Sequence, residues 1–153
     1  MIRYRILRST ISVLSLLLGL VLSSAGAFAQ GMPNEAEQEA LIKATLLALN
    51  EANNTGNWAA FHAKTSRTTQ DQFSVHEMRA KLAGTAGLAG LDVSEIAATK
   101  PVVTDQAKID DEGLLILTGR FDFKSSTVIY KFGFLPSDGT WKPAGMSVGY
   151  EKK

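Results

Sequence analysis

Hydrophobic positions in this chain follow two periods, and the change from one to the other divides it. From 112 to 150 the period is two. Leu115, Leu117, Phe121 and Phe123 share one face of a strand with Gly119 between them, while Thr118, Arg120 and Asp122 point the other way. Val128, Tyr130, Phe132 and Phe134 then alternate with Ile129, Lys131, Gly133 and Leu135. Asp138-Gly139 supplies the positive φ angles of a tight hairpin turn, and Met146, Val148 and Tyr150 continue one face of the next strand. The pattern predicts three consecutive antiparallel strands with one large aromatic face that must be buried.

Upstream the period is helical. Asn34 is placed to cap a first helix, with Glu37 as its capping-box partner, and the helix is predicted to run to about Ala52. Around that helix Glu39, Lys43 and Asn50 share a narrow polar strip, while Leu41, Ile42, Ala44, Leu46, Ala48 and Leu49 take most of the remaining circumference. So wide an apolar surface predicts a helix cradled by the sheet. Gly56 is its left-handed terminator. Asn57 caps a short second helix with Trp58, Phe61, His62 and Thr65 on one face, and Ser74 with Glu77 opens a third carrying Val75, Met78 and Leu82 on one side.

Three glycines between Gly84 and Gly90 are incompatible with a stable helix interior, and the segment reads as a mobile loop. Asp92 to Ile96 has room for one helical turn. Lys100 to Ile109 reads as an edge strand, and Asp110 to Gly113 as the turn into the main sheet. The predicted architecture is α+β: three N-terminal helices packed on a strongly curved antiparallel sheet of about four strands.

The first thirty residues stand apart from this pattern. Arg3, Arg5 and Arg8 precede an apolar run from Ile11 to Leu22, and Ala27-Phe28-Ala29 has small residues where a signal peptidase needs them. Residues 1–29 therefore read as a signal peptide cleaved after Ala29, leaving 30–153 as a single domain in the periplasm or secreted; retained, the same segment is a membrane anchor. Removing the leader changes the charge. Sixteen Lys and Arg less its three leaves thirteen against fifteen acids, net −2, with no basic stripe to track a phosphate backbone and hence no nucleic-acid partner. With no cysteine, the fold tolerates an oxidising compartment without using it.

Several strings suggest chemistry and fail on context. Gly145-Met146-Ser147-Val148-Gly149 fits a nucleophile elbow, but only four residues follow it and both histidines lie upstream. His62 and His76 are fourteen apart with no cysteines to join them, which predicts no metal site, and no cofactor motif is present. Asp110 to Gly113 lacks the spaced oxygens of a calcium loop. What remains is a constellation. His62, Asp71, His76 and Tyr130 are the groups that could enter a cavity lined by Trp58, Phe61, Phe73, Leu117, Phe121, Val128, Phe132 and Met146, where a desolvated acid or imidazole would have a shifted pKa. The alternative is that the same aromatics form the core and the polar groups are satisfied.

Gly56-Asn57-Trp58-Ala59-Ala60-Phe61-His62 after the first helix, together with the terminal hairpin Asp138-Gly139-Thr140-Trp141-Lys142, resembles the nuclear transport factor 2-like (NTF2-like) superfamily over about residues 35 to 150, and in particular its small secreted bacterial members. The resemblance implies a cone-shaped fold with a pocket at its open end, often dimerising through the sheet. Relatives include isomerases, dehydratases and cyclases alongside non-catalytic binding domains. Helix one offers only Leu46, Leu47 and Leu49 where a catalytic side chain is sought. Three readings follow: a non-enzymatic binder of a small apolar ligand or an envelope protein; a cofactor-free isomerase, dehydratase or cyclase with His62 or Asp71 as base and Tyr130 as donor; and an anchored module of an envelope complex.

Overall fold

The structure is a computed structural model in which residues 30–153 are described; the expected signal peptide and its expected cleavage after Ala29 lie outside the described residues. Helices α1 (Glu35–Thr55), α2 (Trp58–Lys64), α3 (Arg67–Gln72) and α4 (Val75–Lys81) are followed by a 3-10 helix (Ala83–Gly90), α5 (Val93–Ala98) and strands β1 (Val102–Ile109), β2 (Leu115–Asp122), β3 (Ser126–Ser137) and β4 (Thr140–Lys152). The class is α+β, and the four strands form one antiparallel meander in the order β1-β2-β3-β4. No helix among the described residues is long and apolar enough to cross a membrane.

Local signals set most boundaries. Asn34 Oδ1 accepts from the Glu37 N–H at 3.0 Å and Glu37 Oε2 accepts from the Asn34 N–H at 2.7 Å, closing the capping box that starts α1. The helix runs on to Thr55 rather than stopping near Ala52, and Gly56 at φ 73° turns the chain out. Asp138 (φ 53°) and Gly139 (φ 77°) form the two-residue turn between β3 and β4, the left-handed pair that matches strand twist.

Helical segments are more numerous than the three read from the sequence. Helix α3, Arg-Thr-Thr-Gln-Asp-Gln, has no apolar stripe and so gives no periodic signal. It forms because the Ser66 hydroxyl accepts from the Thr69 N–H at 3.2 Å and the chain is tied to the hairpin: the Ser66 N–H donates to the Pro143 carbonyl at 2.8 Å, and the Arg67 N–H to the Ser137 hydroxyl at 3.1 Å.

The glycine-rich segment is a larger correction, since in place of a mobile loop it forms the 3-10 helix, with Thr85 and Leu88 buried. Propensity alone disfavours this; tertiary contacts override it. Asn50, itself buried in α1, donates to the Leu88 carbonyl at 2.6 Å and to the Leu91 carbonyl at 3.1 Å, and Asn53 donates to the Thr85 hydroxyl at 3.0 Å. Asn50 and Asn53 of α1 therefore face the 3-10 helix. Glycine serves here for closeness: a Cβ on Gly87 would stand 2.7 Å from Cδ1 of Tyr150, so a side chain would lift the segment off β4.

The aromatic face is buried as the alternation predicts. Leu115, Leu117, Phe121 and Phe123 of β2 and the following loop, with Val128, Tyr130, Phe132 and Phe134 of β3, join Ile42, Leu46 and Leu49 of α1 and Trp58 and Phe61 of α2 in one core. Burying each such side chain is worth about 1.5–3 kcal/mol. Strand β1 is one of the two edges, with register shifts at Asp105, and exposes Val102, Val103 and Ile109. Its irregular pairing and its charged Asp105 and Lys108 are features that keep an open edge from recruiting another strand.

Candidate functional site

The residues that sequence reasoning assigned to a cavity wall pack instead against one another. Ring centroids run Phe123–Phe121 5.4 Å, Phe121–Tyr130 5.7 Å, Tyr130–Phe132 5.0 Å and Phe132–Phe134 6.4 Å, and Trp58 meets Phe61 edge-on at 5.9 Å. Leu117 and Val128 are buried with them, while Met146 is half-buried against the same core. Phe73 lies half-exposed beneath the ammonium of Lys81, 4.9 Å from its ring centre.

The polar candidates separate. His62 Nε2 lies 2.7 Å from the carbonyl oxygen of Phe73. A carbonyl only accepts, so that nitrogen carries the hydrogen and the imidazole ties α2 to the end of α3. Asp71 on α3 and His76 on α4 are exposed. Ser147 is an exposed strand residue opposite Lys131 rather than the tip of an elbow. The structure does not bring the expected bases to Tyr130: none of His62, Asp71 and His76 lines the small gap beside it, whose acid is Asp105. Among the described residues there is no group of three or more His, Cys, Asp or Glu side chains that could hold a metal.

A groove of about 880 Å³ lies between the first turns of α1 and the edge strand β1. Met32, Ala36, Ile42, Pro101, Val103 and Ala107 form its apolar surface, and Asn34, Glu35, Gln38, Glu39, Lys100 and Gln106 its polar one. Helical spacing puts Glu35, Gln38, Glu39 and Ile42 on one side of α1, and strand β1 contributes small or short side chains that leave the space open. Glu39 is held below the usual carboxylate range by its hydrogen bond to Lys43, 2.8 Å away, and by the positive charges of Lys43 and Lys100. Lys43 also donates to the Ala97 carbonyl at 2.8 Å, so this acid is locked into a structural pair.

Beneath the groove is a gap of about 10 Å³ lined by Gln38, Ile42, Val103, Asp105, Ala107, Leu117, Thr118 and Tyr130. Four of these, Gln38, Ile42, Val103 and Ala107, also line the groove above. Tyr130 is fully buried, and its hydroxyl has no hydrogen-bond partner among the described residues. Burial pushes its pKa up to about 12, so at neutral pH the group is an uncharged donor. An unmade buried hydrogen bond costs about 1–3 kcal/mol, which makes the exception worth explaining. The hydroxyl reaches its place because its cross-strand partner is Gly119: a Cβ there would collide with the Tyr130 hydroxyl and with the Val102 carbonyl.

A second groove, of about 580 Å³, flanks α1 between Met32, Ala40, Leu41 and Ala44 and the hairpin residues Thr140 and Trp141. Of the residues lining the gap, sequence reasoning singled out Tyr130 and Leu117 for a site and missed Gln38, Ile42, Val103, Asp105, Ala107 and Thr118. The signal that could have found them is the Gly119–Tyr130 pairing, which points the ring's polar end toward β1. No family model, curated protein or solved structure matches this chain.

Proposed function

We propose that this chain is a non-enzymatic binding domain, exported to the periplasm or beyond, that takes a small apolar ligand in the groove between α1 and β1. The observation that carries the reading is the Tyr130 hydroxyl, buried without a partner among the described residues, on a side chain that lines the gap adjoining that groove. A protein that needed Tyr130 only for packing would do better with phenylalanine, because the oxygen then costs desolvation and returns nothing. The NTF2-like resemblance of the Trp58 turn and the Asp138-Gly139 hairpin is compatible with this reading, since non-catalytic binding domains are among the relatives it implies. The separation of His62 and Asp71 from Tyr130 speaks against a base-and-donor pair acting on one substrate.

The test is thermal unfolding of the protein with a panel of short aliphatic esters, alcohols, amines and acids, repeated on Ala36→Trp. Ala36 is exposed and lines the groove, so the indole fills the site without disturbing the core. A melting temperature raised by at least one compound class in the parent and unmoved in Ala36→Trp supports the reading. No shift with any class, or equal shifts in both proteins, sinks it.

A further inference from the structure

The hairpin that joins β3 to β4 turns on Asp138-Gly139, the one Asp-Gly step in the chain. Both residues are exposed, both have positive φ, and a Cβ on Gly139 would meet nothing within 4 Å, so the step lies open to water. An aspartate followed by glycine has a chemistry of its own. The Gly139 nitrogen can attack Cγ of a protonated Asp138 carboxyl; a C–N bond forms, a C–O bond breaks, and one water leaves with the amide hydrogen. Water then adds to the cyclic imide, and opening at the α-carbonyl routes the main chain through Cβ and Cγ as isoaspartate. The mass is unchanged, and nothing is oxidised or reduced.

The fold opposes this step at both carboxylate oxygens. Arg67 donates from Nε to Oδ1 at 3.0 Å, with its Nη2 also 3.0 Å from that oxygen, and Lys142 donates from Nζ to Oδ2 at 2.9 Å. The hydrogen bonds from Lys142 and Arg67 hold the carboxyl below the usual carboxylate range, which depletes the protonated form that reacts. They also pin Cγ, whereas attack needs a side chain free to swing onto the Gly139 nitrogen. The two cations come from different elements. Lys142 belongs to β4, and Arg67 opens α3, which the backbone bonds from Ser66 to Pro143 and from Arg67 to Ser137 hold against the hairpin.

We infer that Asp138 is a site of spontaneous isomerisation to isoaspartate, which the clamp of Arg67 and Lys142 keeps slow. Exposed ion pairs are individually weak, so the clamp slows the reaction by a modest factor and does not block it. Once formed, isoaspartate adds a carbon to the main chain of a two-residue turn. Its neighbours Ser137 and Pro143 anchor α3, so the modification loosens α3 from the hairpin.

Peptide mapping by mass spectrometry, with fragmentation that separates aspartate from isoaspartate, tests this on the full chain kept for weeks in mildly acidic buffer at body temperature. The variants are Arg67→Ala with Lys142→Ala, and Arg67→Lys with Lys142→Arg, which keeps both cations. Isoaspartate at 138 should accumulate at least about twofold faster in the alanine pair than in the parent, and close to the parent's rate in the charge-keeping pair. The backbone bonds of Ser66 and Arg67 to the hairpin survive either change, and urea midpoints report whether the fold does. If the alanine pair is destabilised, Lys142→Ala alone leaves α3 untouched and should still isomerise faster than the parent. Equal rates in the parent and these alanine variants overturn the clamp, as does a charge-keeping pair as fast as the alanine pair. Absence of isoaspartate at 138 from all of them overturns the site.

Discussion

Gly119 and Tyr130 face each other across β2 and β3, and the Tyr130 hydroxyl occupies the volume that any side chain at 119 would need. The pair explains an oddity of the sequence, a glycine in the middle of the most strongly patterned strand. It also makes the site sensitive to one methyl group. In Gly119→Ala the Cβ meets a backbone carbonyl, that of Val102, as well as the hydroxyl, so β1 must shift from β2. The expected loss is about 1–3 kcal/mol in denaturant unfolding. Adding Tyr130→Phe should restore less than half of it, since the carbonyl collision remains. Full restoration would mean that the hydroxyl alone sets the fit.

Tyr130 should leave a signature at high pH. Its pKa is raised from 10 to about 12 by burial, so the unfolded chain releases its proton first as pH rises. Stability that is intact below pH 10 is therefore lost progressively toward pH 12 on account of this group. The other tyrosines and the lysines titrate in the same range, so the measurement is a difference: urea midpoints of the parent and of Tyr130→Phe from pH 8 to pH 11. Below pH 10 the variant should be equal to or more stable than the parent, and its advantage should grow above it. A constant difference across that range would contradict a buried, neutral phenol.

Asn50 is the clasp of the glycine-rich segment. Asn50→Ala leaves the carbonyls of Leu88 and Leu91 without their side-chain donor inside the helical layer, at an expected cost of about 2–4 kcal/mol. Hydrogen exchange resolves where the loss falls. Amides from 83 to 91 should exchange faster while those of β2 and β3 remain protected. Uniform acceleration would show that the segment and the sheet open together.

Much of this molecule was legible along the chain because local rules agreed with the tertiary outcome. Asn34 with Glu37 and Ser74 with Glu77 predicted helix starts through hydrogen bonds that close within one turn. The alternation of Leu115 to Phe134 predicted which sheet face is buried, since strand geometry sends successive side chains to opposite sides. Asp138-Gly139 predicted its turn because few other pairs tolerate two positive φ angles. These are short-range constraints, and a single sequence carries them.

What only the tertiary structure decided depends on partners distant in the chain. Helix α3 exists through Pro143 and Ser137, far from Arg67 in sequence, and the glycine segment is ordered by Asn50 and Tyr150. The aromatic stripe identifies residues that avoid water, but not whether they enclose a space or fill one; the rings packed in succession from Phe123 to Phe134 show that they fill it. The space lies instead where α1 stands off the short side chains of β1, and a local pattern does not encode the gap between two elements. By itself the sequence determined α1, α2, α4 and the four strands, the buried face and the presence of Tyr130 on it. The packing of Gly119 decided where the hydroxyl ends, because only a missing side chain on the neighbouring strand leaves it room.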